Sequence, residues 1–147
     1  MSILHWEKNE TVATITLTNG ENRQNLDYAN SMLKAFDEIL ADKDIHAVII
    51  TSNDEKNFSQ GVDLGWLMKK FQEKDLQSIK DFMYRTNEVF KTCLTFPMPV
   101  IAAINGHAFG NGAILSCACD FRFMRSDRGY FCFPEVDINI PFLPGML

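Results

Sequence analysis

The residues that could do chemistry stand in three short stretches: Phe58-Ser-Gln-Gly-Val-Asp63, Asn105-Gly-His-Ala-Phe-Gly-Asn-Gly112 and Phe133-Pro-Glu-Val-Asp137. In the first two, glycines follow an apolar run and precede a helix-like segment. Glycine permits positive φ and close backbone approach, and a helix start leaves backbone N–H groups without partners. The N–H groups of Val62 and Asn111 could thus converge on one anionic oxygen, with the positive end of a helix in their favour. Glu135 lies among aromatic and β-branched neighbours. Desolvation by such neighbours suits a carboxylate that shuttles a proton near neutrality; the alternative is a glutamate that caps the turn after Pro134.

Other candidates carry a bland reading beside a functional one. His107 is a base, a ligand or a hydrogen-bonded structural residue. Asp137 shares a face with Glu135 if the segment is extended, and is otherwise a solvated cap. Asp63 is expected to cap the helix that it precedes. Trp66, Met68 and Phe71 at helical spacing are core, or a greasy wall against which a fatty acyl chain could lie. Gly110 and Gly112 do not extend to a dinucleotide fingerprint, because Leu115 stands at the third glycine position and no P-loop lysine follows.

The elements that must position these residues are legible from periodicity. Ile3 to Lys8 and Thr11 to Thr18 read as a hairpin, and Leu26 to Leu40 as a helix with Asn25 or Asp27 as its cap. Ala47 to Ile50 and Val100 to Ile104 are short continuous apolar runs, expected as strands covered on both faces. Thr51 to Gln60 reads as a polar loop. Asp63 to Phe71 and Leu76 to Thr95 are helical, and Pro97 and Pro99 stop the second. Strand, helical crossover and strand make the two apolar strands parallel. Phe121 to Met124 and Tyr130 to Phe133 are further strands, and no internal repeat is visible. The class is α/β, with ligand-bearing loops after parallel strands.

Composition bounds the rest. The 147 residues match one domain by the ~150-residue guide, and 46% hydrophobic content with twelve phenylalanines implies a packed core. A net charge of -5 with mixed signs argues against nucleic acid. Cys93, Cys117, Cys119 and Cys132 form no metal-ligand spacing and read as reduced core thiols, Cys117 and Cys119 in apolar surroundings; no metal site is expected. Polar residues interrupt Pro97 to Ala118, so membrane insertion is not expected, and residues 2–10 lack a signal-like apolar stretch. The Pro144-Gly145 turn near the chain end suggests a domain cut short.

Asn22-Arg-Gln-Asn25, Phe58-Ser-Gln-Gly-Val-Asp-Leu64, Pro99 to Gly112, Cys119-Asp-Phe-Arg122, Pro134-Glu135 and Pro144-Gly145 occur in an order that resembles the crotonase (enoyl-CoA hydratase/isomerase) family. The resemblance implies a crotonase-like (ββα)-repeat spiral core over residues 1–147 with the C-terminal helical part missing. It implies a backbone oxyanion hole from Val62 and Asn111, Asn111 standing where a glycine is usual, and Glu135 as catalytic carboxylate. Ile114 stands where hydratases carry a second glutamate. That pattern, with the stretch from Met124 through Ile138, resembles the Δ3,Δ2-enoyl-CoA isomerases, in which one carboxylate suffices. The resemblance further implies acyl-CoA binding along Arg23, Asn25, Leu26, Gln60, Gly61, Asp63, Leu64 and Gly110, with Lys56 or Arg23 near phosphates. No cofactor beyond the CoA of the substrate is implied. A homotrimer or dimer of trimers is implied, cytoplasmic in a bacterium and peroxisomal in a eukaryote. The alternatives are a hydratase using Asp137 or His107 as displaced acid, and a non-catalytic acyl-CoA-binding subunit.

Overall fold

A computed structural model describes residues 2–137, 139 and 142. Strands β1 (Leu4–Asn9) and β2 (Val12–Leu17) form the expected antiparallel hairpin, with Leu4 opposite Leu17 and Asn9 opposite Val12. Helix α1 (Leu26–Ala41) follows. Its cap is Asn25, whose Oδ1 accepts from the Tyr28 N–H at 3.1 Å. Tyr28, Met32, Ala35, Phe36 and Ile39 recur at helical spacing and are buried, so one stripe faces the core.

Strand β3 (Ala47–Ser52) pairs in parallel with β2 and with β5 (Val100–Ile104), as the crossover required. Between them run β4 (Asn57–Ser59), α2 (Leu64–Gln72) and α3 (Leu76–Thr95). Thr51 to Gln60 is therefore not simply a loop. It holds the end of β3 and all of β4, a strand too short to show a period. Helix α3 ends at Phe96, whose extended backbone (φ -62°, ψ 137°) is what a residue before proline must adopt. After β5 come β6 (His107–Phe109), α4 (Asn111–Ala118), β7 (Phe121–Met124), β8 (Phe131–Cys132) and a 3-10 turn at Pro134–Val136.

The strands divide into a five-stranded sheet, β1-β2-β3-β5-β7, and a three-stranded one, β4-β6-β8. Strands β3, β5 and β7 are each followed by a short strand of the second sheet, and both sheets grow by one parallel strand per turn of the chain. A repeat does exist, then, but in path and not in sequence. The core lies on one face of the large sheet, where Ala13, Ile15, Leu17, Val48, Ile50, Val100 and Ala102 meet α1, α3 and α4. The expectation of full cover on both faces of β3 and β5 is corrected: buried residues alternate with half-buried ones, and β7 is an exposed edge.

The α2–α3 junction carries a titratable cap. The Lys70 ammonium, then the Ser78 hydroxyl and N–H, hold the Asp75 carboxyl down to about 2. A depressed carboxylate contributes stability above its unfolded pKa, which is lost as pH falls through the folded value. Asp75→Asn should therefore lower the melting temperature most at neutral pH and least below about pH 2, flattening the acid limb of the profile between about pH 4 and about pH 2.

Candidate active site

The small sheet positions the site. Because β4, β6 and β8 are parallel neighbours with β6 in the middle, their carboxyl ends share one edge. The segments leaving that edge are Gln60-Gly61-Val62-Asp63, Gly110-Asn111 and Phe133-Pro134-Glu135. The ladder is fixed by the Ala108 N–H donating to Tyr130 O at 2.9 Å and the Gly110 N–H to Cys132 O at 3.0 Å.

The glycines show how closely these segments meet. A Cβ on Gly61 would stand 2.6 Å from Phe109 O and 3.1 Å from the Asn111 nitrogen. A Cβ on Gly110 would stand 2.7 Å from Glu135 Oε1. Both glycines have positive φ, +76° and +51°, which side chains rarely adopt. The structure thus brings Gly61, Gly110, Asn111 and Glu135 into one cluster.

Two N–H groups in this cluster are available. Gln24 and Val62 form a parallel bridge in which the Gln24 N–H donates to Gly61 O at 2.7 Å and the Asp63 N–H to Gln24 O at 2.8 Å. Alternation along an extended strand turns the Val62 N–H to the other side, where no acceptor lies among the described residues. Asn111 is the first residue of α4, and Gly110 before it offers no side-chain cap. Its N–H also lacks an acceptor among the described residues, at the positive end of a helix dipole. Glu135 Oε2 is buried, and among the described residues it has no hydrogen-bond partner.

The other candidates separate. Asn25 and Asp63 act as caps: Asp63 Oδ1 accepts from the Trp66 N–H at 2.9 Å, and Asn25 Nδ2 reaches Asp63 Oδ2 at 3.4 Å. The Gln60 N–H donates to Glu21 O at 3.0 Å, tying the first loop to the segment before α1. Leu64 is exposed, and Leu26 borders a groove of about 450 Å³ between α1 and α3. Arg23 pairs with its neighbour Glu21 at 2.8 Å, and Lys56 is exposed. His107 is structural, its Nδ1 accepting from the Tyr130 N–H at 3.2 Å with the rings stacked. Asp137 takes the capping reading: the 3-10 turn ends on it in helical conformation and it is exposed, so the segment is not extended there and it does not share a face with Glu135. Cys117 is exposed, not a core thiol, whereas Cys93 and Cys119 are buried. Met68 and Phe71 are exposed on α2, and Trp66 packs edge-on against Phe82, so this stripe is a surface wall and not core. The Pro144-Gly145 turn lies outside the described residues. No helix among the described residues is long and apolar enough to cross a membrane.

Sequence reasoning gave no role to Asn22, Gln24 and Ser59, which are buried and polar beneath the first loop. The available signal was a pair of Asn/Gln/Ser-rich segments, each next to a glycine turn or helix cap.

Residues 7–146 match the enoyl-CoA hydratase/isomerase family. Enoyl-CoA delta isomerase 3 of Arabidopsis thaliana is 34% identical over 139 residues, which span 92% of this chain and 57% of that protein. A short-chain-enoyl-CoA hydratase of Clostridium acetobutylicum is 34% identical over 140 residues, spanning 94% and 51%. Among solved structures, an enoyl-CoA hydratase from Geobacillus kaustophilus superposes with a TM-score of 0.84 at 31% identity, covering 99% of this chain and 53% of that one. The chain spans little more than half the length of these relatives. The spiral of paired strands and the match over nearly its whole length agree: the chain belongs to the enoyl-CoA hydratase/isomerase family and has the α/β crotonase fold.

Proposed function

We propose that this chain forms the catalytic part of an acyl-CoA double-bond isomerase that converts a 3-enoyl-CoA to a 2-enoyl-CoA. The observation that carries the proposal is one carboxylate, Glu135, set against Gly110, beside two backbone donors that lack acceptors among the described residues. Ile114 lies one helical turn beyond Gly110, its N–H donating to Gly110 O at 2.9 Å, and is buried. An aliphatic side chain occupies the position where the family's hydratases place a second glutamate.

In the proposed reaction the Val62 and Asn111 N–H groups hold the thioester oxygen. Glu135 takes a proton from C2, and the electron pair of that C–H bond forms the C1–C2 double bond as the carbonyl pair moves to the thioester oxygen, giving a dienolate conjugated with the C3–C4 double bond and nucleophilic at C4. The two donors stabilise the charge where it develops. Glu135 then returns a proton to C4, leaving the double bond between C2 and C3. No atom is lost or gained, so one acid-base group suffices. Water addition would need a second group to hold and activate water, and the two substitutes considered fit poorly: His107 Nδ1 is already engaged and Asp137 caps a turn. The exposed apolar residues of α2, which begins just beyond Val62, offer an acyl chain a wall.

The test is to supply the natural polypeptide that carries this chain with a 3-enoyl-CoA and follow the conjugated product by absorbance. Catalytic appearance of the 2-enoyl-CoA is expected. A protein that binds acyl-CoA but yields 3-hydroxyacyl-CoA from a 2-enoyl-CoA, and no isomerisation, would favour the hydratase reading; binding with neither reaction would favour a non-catalytic subunit.

A further inference from the structure

Beneath the paired donors lies a side chain that touches both loops. Ser59, the last residue of β4, is fully buried. Its hydroxyl donates to Asn22 O at 2.7 Å and accepts from the Gly61 N–H at 3.2 Å and from Gln24 Nε2 at 3.4 Å. One donor and two acceptor positions are all that a serine hydroxyl has, so it is saturated. Gly61 immediately precedes Val62, and Gln24 is the residue whose backbone forms the bridge at Val62. Ser59 thus restrains the first donor from both sides.

The second donor rests on the same residue. A Cβ on Gly112 would fall 2.5 Å from Ser59 O and 2.8 Å from Ser59 Cβ, so the first turn of α4 lies directly against Ser59. Asn111 is the neighbour of that glycine. Gln24 Oε1, buried and unpartnered among the described residues, shows that the network keeps its arrangement at a cost in polar satisfaction.

We propose that Ser59 is a positioning residue, which through its hydroxyl and its contact with Gly112 sets the separation and direction of the Val62 and Asn111 N–H groups. The inference rests on the reading of those groups as the oxyanion site. It gives Ser59 no contact with substrate. Its effect comes through donor placement, and a misplacement of about 1 Å in such a site can cost about a hundredfold in rate.

The experiment uses the natural polypeptide and a conjugated aromatic thioester, cinnamoyl-CoA, whose absorbance shifts to the red when its carbonyl oxygen is polarised. The unaltered protein should bind the probe with a red shift; binding with no shift would overturn the oxyanion reading itself, apart from any role of Ser59. Given that shift, Ser59→Ala should reduce it and lower kcat about tenfold to a hundredfold while probe Kd changes by less than about threefold. Ser59→Cys, of similar size and with a weaker donor and acceptor, should fall between the two and guards against a Ser59→Ala protein that does not fold. Ser52→Ala is the control: its equally networked hydroxyl bonds Asn22, Asp54 and Asn57 but neither glycine loop. It should lower the melting temperature without moving the red shift. An unchanged shift in both Ser59 variants, or an equal loss in Ser52→Ala, would overturn the positioning role.

Discussion

On the proposed mechanism, Glu135→Gln is expected to remove most isomerisation while leaving folding and CoA-ester binding largely intact. General acid–base groups contribute about 10² to 10⁴ in rate, and the amide cannot accept the C2 proton, so kcat should fall by about that range. The substitution keeps the shape of the side chain. Since Glu135 Oε2 makes no hydrogen bond among the described residues and Oε1 lies against Gly110, little packing is lost. A second readout comes from Cys132, whose thiol is held above its ordinary pKa by burial first, then by the negative charges of Glu135 and Asp137. Removing one of those charges should lower the pKa, and a thiol-alkylation profile against pH should move to lower pH. Turnover retained in Glu135→Gln, with the Cys132 profile displaced as expected, would show that the carboxylate is present and charged but is not the base.

Gly61→Ala is expected to damage both stability and activity, and activity more. At φ +76° a side chain costs about 1–2 kcal/mol in backbone strain alone. The added methyl would also stand 2.6 Å from Phe109 O, a backbone atom that cannot rotate away. The relief available is separation of the Gly61 loop from Phe109-Gly110-Asn111, which moves Val62 relative to Asn111. A loss of about 10² or more in kcat/KM should persist at temperatures where circular dichroism shows a folded protein. Gly20→Ala separates strain from site damage. Gly20 also has positive φ, +56°, but nothing within 4 Å of its would-be Cβ. It should lower the melting temperature by a few degrees, in line with about 1 kcal/mol, and leave kcat/KM unchanged. Equal activity losses in the two variants would mean that the Gly61 contact has no special bearing on catalysis.

The sequence alone determined the features set by local physics. The hairpin, α1, α3 and the parallel β3–β5 pair follow from apolar periodicity, from Asn25 as cap and from the prolines after Thr95. The motif glycines and Glu135 could be named because residue type limits which backbone and proton chemistry is possible. Strands β4 and β6 were not legible, since three residues such as Asn57–Ser59 or His107–Phe109 carry no period and pair only with segments distant in the chain, Asn57 with His107 and Ala108 with Phe131. The same holds for Ser59 and Gln24: burial of a polar residue depends on partners brought from elsewhere, and nothing local marks it. Likewise Asp137 was separated from Glu135 by a 3-10 turn whose geometry Pro134 permits but does not compel. Only the tertiary structure decided that Gly61, Gly110 and Glu135 meet. Three parallel short strands present their carboxyl ends at one edge, and hydrogen-bond pairing between strands, not the chemistry of any one segment, makes those ends neighbours.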